Sequence, residues 1–138
     1  MQPTGILETV LYAEDLEAAE AFYTEVFGLE VFIREESRHL FFKVGNGMLL
    51  IFNPESTAHV PTQVKGQPIP VHGAEGVGHM AFRAPEWQMD AWKAHFRQLS
   101  VPIESEVHWP QGGRSLYVSD PAGNCVEVAS PNIWGFGE

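Results

Sequence analysis

The stretch "DPAGNCVEVASP" at residues 120–131 places a carboxylate, Glu127, inside a short apolar strand. Turn residues precede the strand and Pro131 follows it, so we predict a brief, half-buried strand. An ionised glutamate there needs a partner, because burying an unpaired charge costs free energy. A metal ion would satisfy it, and so would an arginine such as Arg83 or Arg114.

Glu8 and His79 occupy corresponding places in two similar halves of the chain, and both precede alternating strand residues. If the halves are related by a pseudo-twofold axis, these two side chains and Glu127 converge in one groove. Two carboxylates beside an imidazole repel each other unless a cation lies between them. We therefore predict one divalent metal ion, Fe, Mn, Zn, Ni or Co, bound by Glu8, His79 and Glu127 with coordination positions left for substrate.

The elements that position these residues follow the order β-α-β-β-β twice. In the first copy "GILETVLYAEDL" is a strand, and "DLEAAEAFYTEVFG" is a helix capped by Asp15 and ended by Gly28. Three strands follow in "EVFIRE", "HLFFKVG" and "GMLLIFNP". Repetition of a whole unit indicates a duplication.

In the second copy "GVGHMAFRAP" is a strand, and "PEWQMDAWKAHFRQLS" is a helix with Pro85 in its first turn. The strands "IESEVHW", "RSLYVSD" and "CVEVAS" complete it. The predicted fold class is α+β, with two tandem modules forming curved mixed sheets around a cleft. Residues 1–138 form one domain with module one at 5–54, a polar linker at 55–75, module two at 76–131 and a tail at 132–138.

Composition restricts the possible partners. The chain has 138 residues and a formal charge of -10, which disfavours nucleic acid and anionic membranes. Cys125 is the only cysteine, so no disulfide forms within the chain. The sequence shows no signal peptide and no membrane span, and we therefore expect a cytoplasmic protein.

The two β-α-β-β-β units, the stretch "GVGHMAF" and above all "SLYVSDPAGNCVEV" resemble the glyoxalase/bleomycin resistance protein/dioxygenase family, also called the vicinal oxygen chelate superfamily. The resemblance runs from Gly5 to about Trp134. It implies a glyoxalase-like fold, a metal ligand at Glu127 and another at His79. It also implies an enzyme of lyase, isomerase or ring-cleaving dioxygenase type, whose metal ion chelates two neighbouring oxygens of a small substrate.

Two positions depart from the pattern of that family. The first strand of relatives commonly offers a histidine where this chain has Glu8, and a glutamate leaves less positive charge on a metal ion. The fourth ligand of full glyoxalase I sites corresponds to Leu49 or Leu50, and neither side chain can bind a metal ion. Relatives with three protein ligands therefore match the ligand count better.

Further residues are candidates for roles around this site. Glu8 and Glu127 are candidate proton acceptors, and His39 is a candidate general base. Candidates for substrate binding are Arg114, Tyr12, Tyr117 and His72, the last in a loop before the second module.

Two other functions compete with the enzyme. A metal-free protein of the bleomycin resistance type would bind an aromatic or cationic compound, which the acidic charge and many aromatic residues suit. A purely structural domain gives no reason for carboxylates in a groove. We expect a homodimer, because many relatives of this size pair their modules between chains.

Overall fold

A computed structural model describes the whole chain, residues 1–138. The chain divides into two compact units, Met1–Gly78 and His79–Glu138. Each unit contains a four-stranded mixed sheet and a principal helix, so the α+β class and the repeated order of elements are confirmed. None of the helices combines the length and the apolar character needed to span a membrane.

Unit 1 contains strands β1 (Glu8–Tyr12), β2 (Val31–Glu35), β3 (His39–Val44) and β4 (Gly47–Phe52), with helix α1 (Leu16–Glu25) after β1. The strand order is β1-β4-β3-β2, and β1 runs parallel to β4. A short helix α2 (Pro54–Thr57) and a hairpin of β5 (Thr62–Val64) and β6 (Gln67–Ile69) follow. The segment interpreted as a linker thus contains structure that is too short to give a periodic pattern.

Helix α1 begins where its sequence predicts and ends at Glu25, before the predicted Gly28. The Asp15 carboxylate accepts a hydrogen bond from the backbone N–H of Ala18 at 3.0 Å, which caps the first turn. Val26 is the C-cap, and Gly28 turns the chain after it with φ +64°, its N–H donating to the Thr24 carbonyl. The helix buries Ala19 and Tyr23 and packs against β3 and β4 of the sheet.

Unit 2 contains strands β7 (His79–Arg83), β8 (Ser105–His108), β9 (Arg114–Ser119) and β10 (Cys125–Ala129) in the order β7-β10-β9-β8. Strand β7 is parallel to β10, as β1 is to β4. Pro85 precedes a single 3-10 turn, Glu86–Gln88, and helix α3 (Met89–Gln98) begins only after it. The helix predicted to start at Pro85 is therefore shorter at its N-terminus.

The hairpins before the last strand of each unit differ in length. A two-residue turn joins Val44 to Gly47, whereas a five-residue loop joins Ser119 to Cys125. The Asp120 carboxylate organises the longer loop by accepting hydrogen bonds from the backbone N–H groups of Ala122 and Asn124. This difference shifts the two repeats relative to each other and decides which residues correspond.

Each sheet has two distinct faces. One face packs against the principal helix of its unit and is buried, and its sheet residues are Leu11, Leu40, Phe42, Leu49 and Ile51 in unit 1 and Phe82, Leu116, Val118, Val126 and Val128 in unit 2. We call the opposite face the site face. Side chains alternate along a strand, so Glu8 and Tyr12 lie on the site face of unit 1, and His79 and Glu127 lie on that of unit 2.

Candidate metal centre

His79 and Glu127 meet on the site face of unit 2. The Nε2 atom of His79 lies 3.3 Å from Oε2 of Glu127. The Glu127 side chain is 8% exposed and the His79 side chain 53% exposed, so the carboxylate forms the inner wall and the imidazole the outer one. The predicted neighbourhood of these two residues is therefore present in the folded unit.

A backbone carbonyl sets the state of the imidazole. Nδ1 of His79 lies 3.0 Å from the Cys125 carbonyl oxygen, which can only accept, so Nδ1 carries a proton. In the neutral ring Nε2 then presents a lone pair to the Glu127 carboxylate. Two acceptors at 3.3 Å repel each other unless a proton or a cation lies beside them. A histidine fixed through its other nitrogen by a carbonyl is typical of metal ligands.

Tyr117 borders the carboxylate on the neighbouring strand. Tyr117 is the cross-strand partner of Glu127, and its ring stacks on that of His79 with centroids 6.3 Å apart. Burial raises the pKa of the Tyr117 hydroxyl above its usual value, and the Glu127 carboxylate raises it further. The hydroxyl is therefore protonated at neutral pH and can donate a hydrogen bond.

Cys125 lies on the same strand, one position along the site face from Glu127. Burial raises the pKa of its thiol, and the carboxylates of Glu104 and Glu127 act in the same direction. A protonated thiol is a poor nucleophile, so Cys125 serves the site through its carbonyl oxygen.

Glu8 lies at the start of β1 in unit 1, and its carboxylate is exposed without a hydrogen bond or ion pair. The strand register resolves which leucine corresponds to Glu127. Val10 pairs with Leu50, as Ala81 pairs with Glu127, so Leu50 takes the corresponding place. Leu50 is 7% exposed and cannot bind a metal ion, so unit 1 offers one candidate ligand on this part of its site face.

His39 lies on the site face of unit 1, where its ring stacks on Phe41 with centroids 4.1 Å apart. Burial lowers its pKa, and the adjacent Arg38 guanidinium lowers it further, which keeps the ring neutral. Arg38 donates a hydrogen bond to Nδ1 of His39 at 2.7 Å, so the ring proton lies on Nε2. Because the free lone pair is already used, this geometry favours a positioning role over the predicted role as general base.

Tyr12 and His72 are joined by a hydrogen bond of 2.6 Å between the Tyr12 hydroxyl and Nδ1 of His72. The His72 ring also meets the edge of Phe52, with centroids 4.7 Å apart. Two of the predicted substrate-binding residues thus lie together, and their bond holds the loop before the second unit against the end of β1.

Arg114 lies away from the site face. Its side chain points towards α3 and is 15% exposed, with hydrogen bonds to the carboxylates of Glu86 at 2.7 Å and Asp90 at 2.6 Å. These bonds raise the pKa of the guanidinium, and the position favours a structural role over the predicted contact with substrate. The alternation along β9 separates Arg114 from Tyr117, which the sequence pattern could have shown.

The structure gathers the predicted residues into two groups, His79 with Glu127 and Tyr117, and Tyr12 with His72. No group of three or more His, Cys, Asp or Glu side chains is close enough together in the chain to hold a metal ion. Arg38 is a residue that sequence reasoning missed. Its place beside His39 in "SRHLFF" gave no periodic signal, because it belongs to a turn.

The family model for the Glyoxalase/Bleomycin resistance protein/Dioxygenase superfamily matches residues 5–128. A crystal structure of lactoylglutathione lyase from Agrobacterium tumefaciens is 46% identical over 99% of this chain and 100% of that chain, with a TM-score of 0.93. No curated protein matches significantly.

More distant structures share the fold. The genomically encoded fosfomycin resistance protein of Listeria monocytogenes is 23% identical, with a TM-score of 0.65 and coverage of 94% of both chains. An integron cassette protein from the mobile metagenome of the Halifax Harbour sewage outfall is 22% identical, with a TM-score of 0.73 over 93% of this chain and 99% of that one. The match to the family model and the identity to the lyase show that this chain belongs to the glyoxalase/bleomycin resistance protein/dioxygenase superfamily.

Proposed function

We propose that the protein is a metal-dependent enzyme of the glyoxalase type, acting on a small substrate with two neighbouring oxygen atoms. The observation that carries this proposal is the His79–Glu127 pair, with the imidazole oriented by a carbonyl and its free nitrogen directed at a buried carboxylate. The similarity to a lactoylglutathione lyase supports lyase or isomerase chemistry over ring cleavage.

The donor set fits one divalent transition metal. His79 offers Nε2, Glu127 offers Oε2, and we propose Glu8 as the third ligand. One nitrogen and two carboxylate groups suit Mn, Fe, Co, Ni or Zn. When bound, such an ion supplies Lewis-acid polarisation of the substrate oxygens.

The residues of the chain would transfer the proton, bind the substrate oxygens and enclose the site. The exposed Glu8 carboxylate is the proposed proton acceptor, because a free oxygen next to the ligand atom can reach a substrate C–H or O–H. The Tyr117 hydroxyl keeps its proton and donates a hydrogen bond to a substrate oxygen. The neighbouring ring of His79 bounds the site on its outer side.

We propose that a second copy of the chain contributes Glu8. Strands β1 and β7 are both edge strands of their sheets, so each has an unpaired backbone edge, and each carries one of the proposed ligands at its first residue. Edge strands that meet in a homodimer would satisfy these edges and bring Glu8 beside His79.

Metal binding to protein purified without a chelator or a nickel column tests the proposal. We expect about one Mn²⁺ or Zn²⁺ ion per chain in equilibrium dialysis, and Glu127→Gln to lower affinity roughly 100-fold because it removes an anionic ligand. Glu25→Gln, at an exposed carboxylate of α1, is the control and should bind normally. Wild-type protein that takes up no metal, together with tight binding of a cationic aromatic compound, would favour the metal-free binding function.

Subunit mixing tests whether Glu8 comes from the same copy of the chain as His79 and Glu127 or from the second copy. Glu8→Ala and Glu127→Ala each remove one ligand, and co-refolding the two variants makes mixed dimers. If ligands come from different copies, half of the sites in a mixed dimer are complete, and metal binding returns. Mixtures that bind no better than either variant alone would contradict the shared site.

A further inference from the structure

Arg38 is the one cation of the chain that is both withdrawn from solvent and without a counter-ion. Of the eight lysine and arginine side chains, Arg34, Lys93 and Arg114 form ion pairs with carboxylates. Four of the other five are exposed, namely Lys43, Lys65, Arg83 and Arg97. Arg38 is half-buried and forms no ion pair, in a chain with 18 acidic residues.

Two neutral partners and an aromatic ring hold the guanidinium in place. Arg38 donates to Nδ1 of His39 at 2.7 Å and to the Thr62 hydroxyl at 2.7 Å, and it lies over the Phe52 ring at 5.6 Å. A guanidinium has five N–H groups, and these bonds use two of them. The guanidinium keeps its full positive charge, and its remaining three N–H groups have no anionic acceptor.

The backbone around Arg38 is firmly held. The Arg38 carbonyl accepts a hydrogen bond from the N–H of Asn53 at 2.9 Å. The carbonyl of Ser37 accepts from the Asn53 amide at 3.2 Å and from the Ser56 hydroxyl at 2.9 Å. The turn is therefore tied to the start of α2, and the guanidinium is positioned before any ligand binds.

The surface beside the guanidinium is aromatic, with Phe52 buried at 7% exposure and Phe41 half-buried. His39 stacks on Phe41, and Phe41 meets Phe52 with centroids 5.3 Å apart. The Tyr12–His72 pair borders Phe52 on its other side. The Glu35 carboxylate lies 3.7 Å from Nδ1 of His39 and forms no ion pair with Arg38.

From these contacts we infer that Arg38 and the half-buried Phe41 ring form a subsite for a planar carboxylic acid. The carboxylate accepts hydrogen bonds from the free N–H groups of Arg38, and the planar part of the ligand lies against the Phe41 ring. This inference extends the proposed function by naming the substrate class: an aromatic or unsaturated acid whose carboxylate sits near Tyr12. Tyr12 lies four residues, roughly 13 Å, along β1 from Glu8.

Titration of metal-free protein in EDTA with sodium benzoate tests the subsite independently of the metal. We expect benzoate to bind with a dissociation constant on the order of 1 mM, as fits a small fragment. Benzamide, which has the same shape without the charge, and acetate, which has the charge without the ring, should each bind roughly tenfold more weakly. Equal binding of benzoate and benzamide would overturn the anion subsite, and equal binding of benzoate and acetate would overturn the role of the Phe41 ring.

Arg38→Gln should weaken benzoate binding roughly tenfold or more, because it removes the charge and the fork of donors. Arg97→Gln makes the same change at an exposed, unpaired arginine of α3 and should leave binding unchanged. If Arg38→Gln does not fold, the test is made on the wild type by following its amide NMR signals during the benzoate titration. Chemical-shift changes that leave Arg38, His39 and Thr62 unaffected would refute the site. If the wild type binds benzoate but takes up no metal ion, the proposed function is refuted and the subsite stands.

Discussion

Glu127 approaches His79 across a diagonal of the sheet: Oε2 lies 3.3 Å from Nε2, although the register pairs Glu127 with Ala81 and His79 with Cys125. The imidazole therefore leans along the strands towards the carboxylate, and the Cys125 carbonyl holds it there. This arrangement aligns the two proposed ligands without a direct cross-strand pair.

Glu8→His should change the metal preference of the site. Imidazole binds Zn²⁺ and Ni²⁺ better than carboxylate does, whereas carboxylate suits Mn²⁺. We expect the ratio of Zn²⁺ to Mn²⁺ affinity to rise roughly tenfold, measured by competition dialysis. The same substitution at the exposed Glu14, just beyond β1, should leave the ratio unchanged, and an equal response of both variants would exclude Glu8 as a ligand.

The sequence predicts which face of a sheet a residue occupies where the alternation of side chains is complete within one strand. Alternation and the repeat predicted that Glu8, His79 and Glu127 share one groove; the structure shows the contact between His79 and Glu127, and the place of Glu8 in the site stays a prediction. Whether Leu49 or Leu50 corresponds to Glu127 could not be read from the sequence, because the two hairpin loops differ by three residues. Only the observed pairing of the strands decides it. The Arg38 turn and the β5–β6 hairpin depend on contacts between distant segments, such as that of Arg38 with Thr62, and no local pattern encodes them.

Leu50→Glu should create a fourth ligand at the place that corresponds to Glu127. Without metal the buried carboxylate should lower the free energy of unfolding by about 2 to 4 kcal/mol. Added Mn²⁺ should restore the melting temperature by more than it raises that of the wild type. Leu49→Glu, buried on the helix-packed face, is the control, and equal rescue of both variants would contradict the assigned register.

Arg114→Gln should destabilise unit 2 by about 2 kcal/mol at pH 7, because it leaves the partly buried Glu86 carboxylate without its partner. Burial alone would raise the pKa of Glu86, but the hydrogen bonds from Ser130 and Arg114 outweigh it and lower the pKa overall. The hydrogen bond from Arg114 also lowers the pKa of Asp90.

Both shifts stabilise the fold above the ordinary carboxyl pKa of about 4, and this contribution is lost as the pH falls towards the lowered values. Urea unfolding from pH 7 to pH 3 should therefore show wild type and Arg114→Gln becoming more alike below about pH 4. Arg97→Gln, at an exposed residue with no ion pair, serves as the control. A constant difference between wild type and Arg114→Gln over the whole range would contradict this assignment.

His72→Ala should loosen the segment that contains the β5–β6 hairpin, because it removes the bond to the Tyr12 hydroxyl and the contact with Phe52. One hydrogen bond contributes about 1 kcal/mol, so tryptic cleavage after Lys65 in the exposed hairpin turn should accelerate roughly fivefold. His59→Ala alters an exposed histidine of the same segment and should not change the rate. Equal cleavage of both variants would show that the hairpin is held by other contacts.

The register that sets Leu50 opposite Val10 and Glu127 opposite Ala81 means that two copies of one architecture have specialised. In the proposed site, unit 2 supplies His79, Glu127 and Tyr117, whereas unit 1 supplies Glu8 and has an apolar residue, Leu50, at the place of Glu127, with Arg38 further along the same face. Substitutions around Arg38 should therefore change which substrates bind, while the ligands His79 and Glu127 of the other unit stay intact.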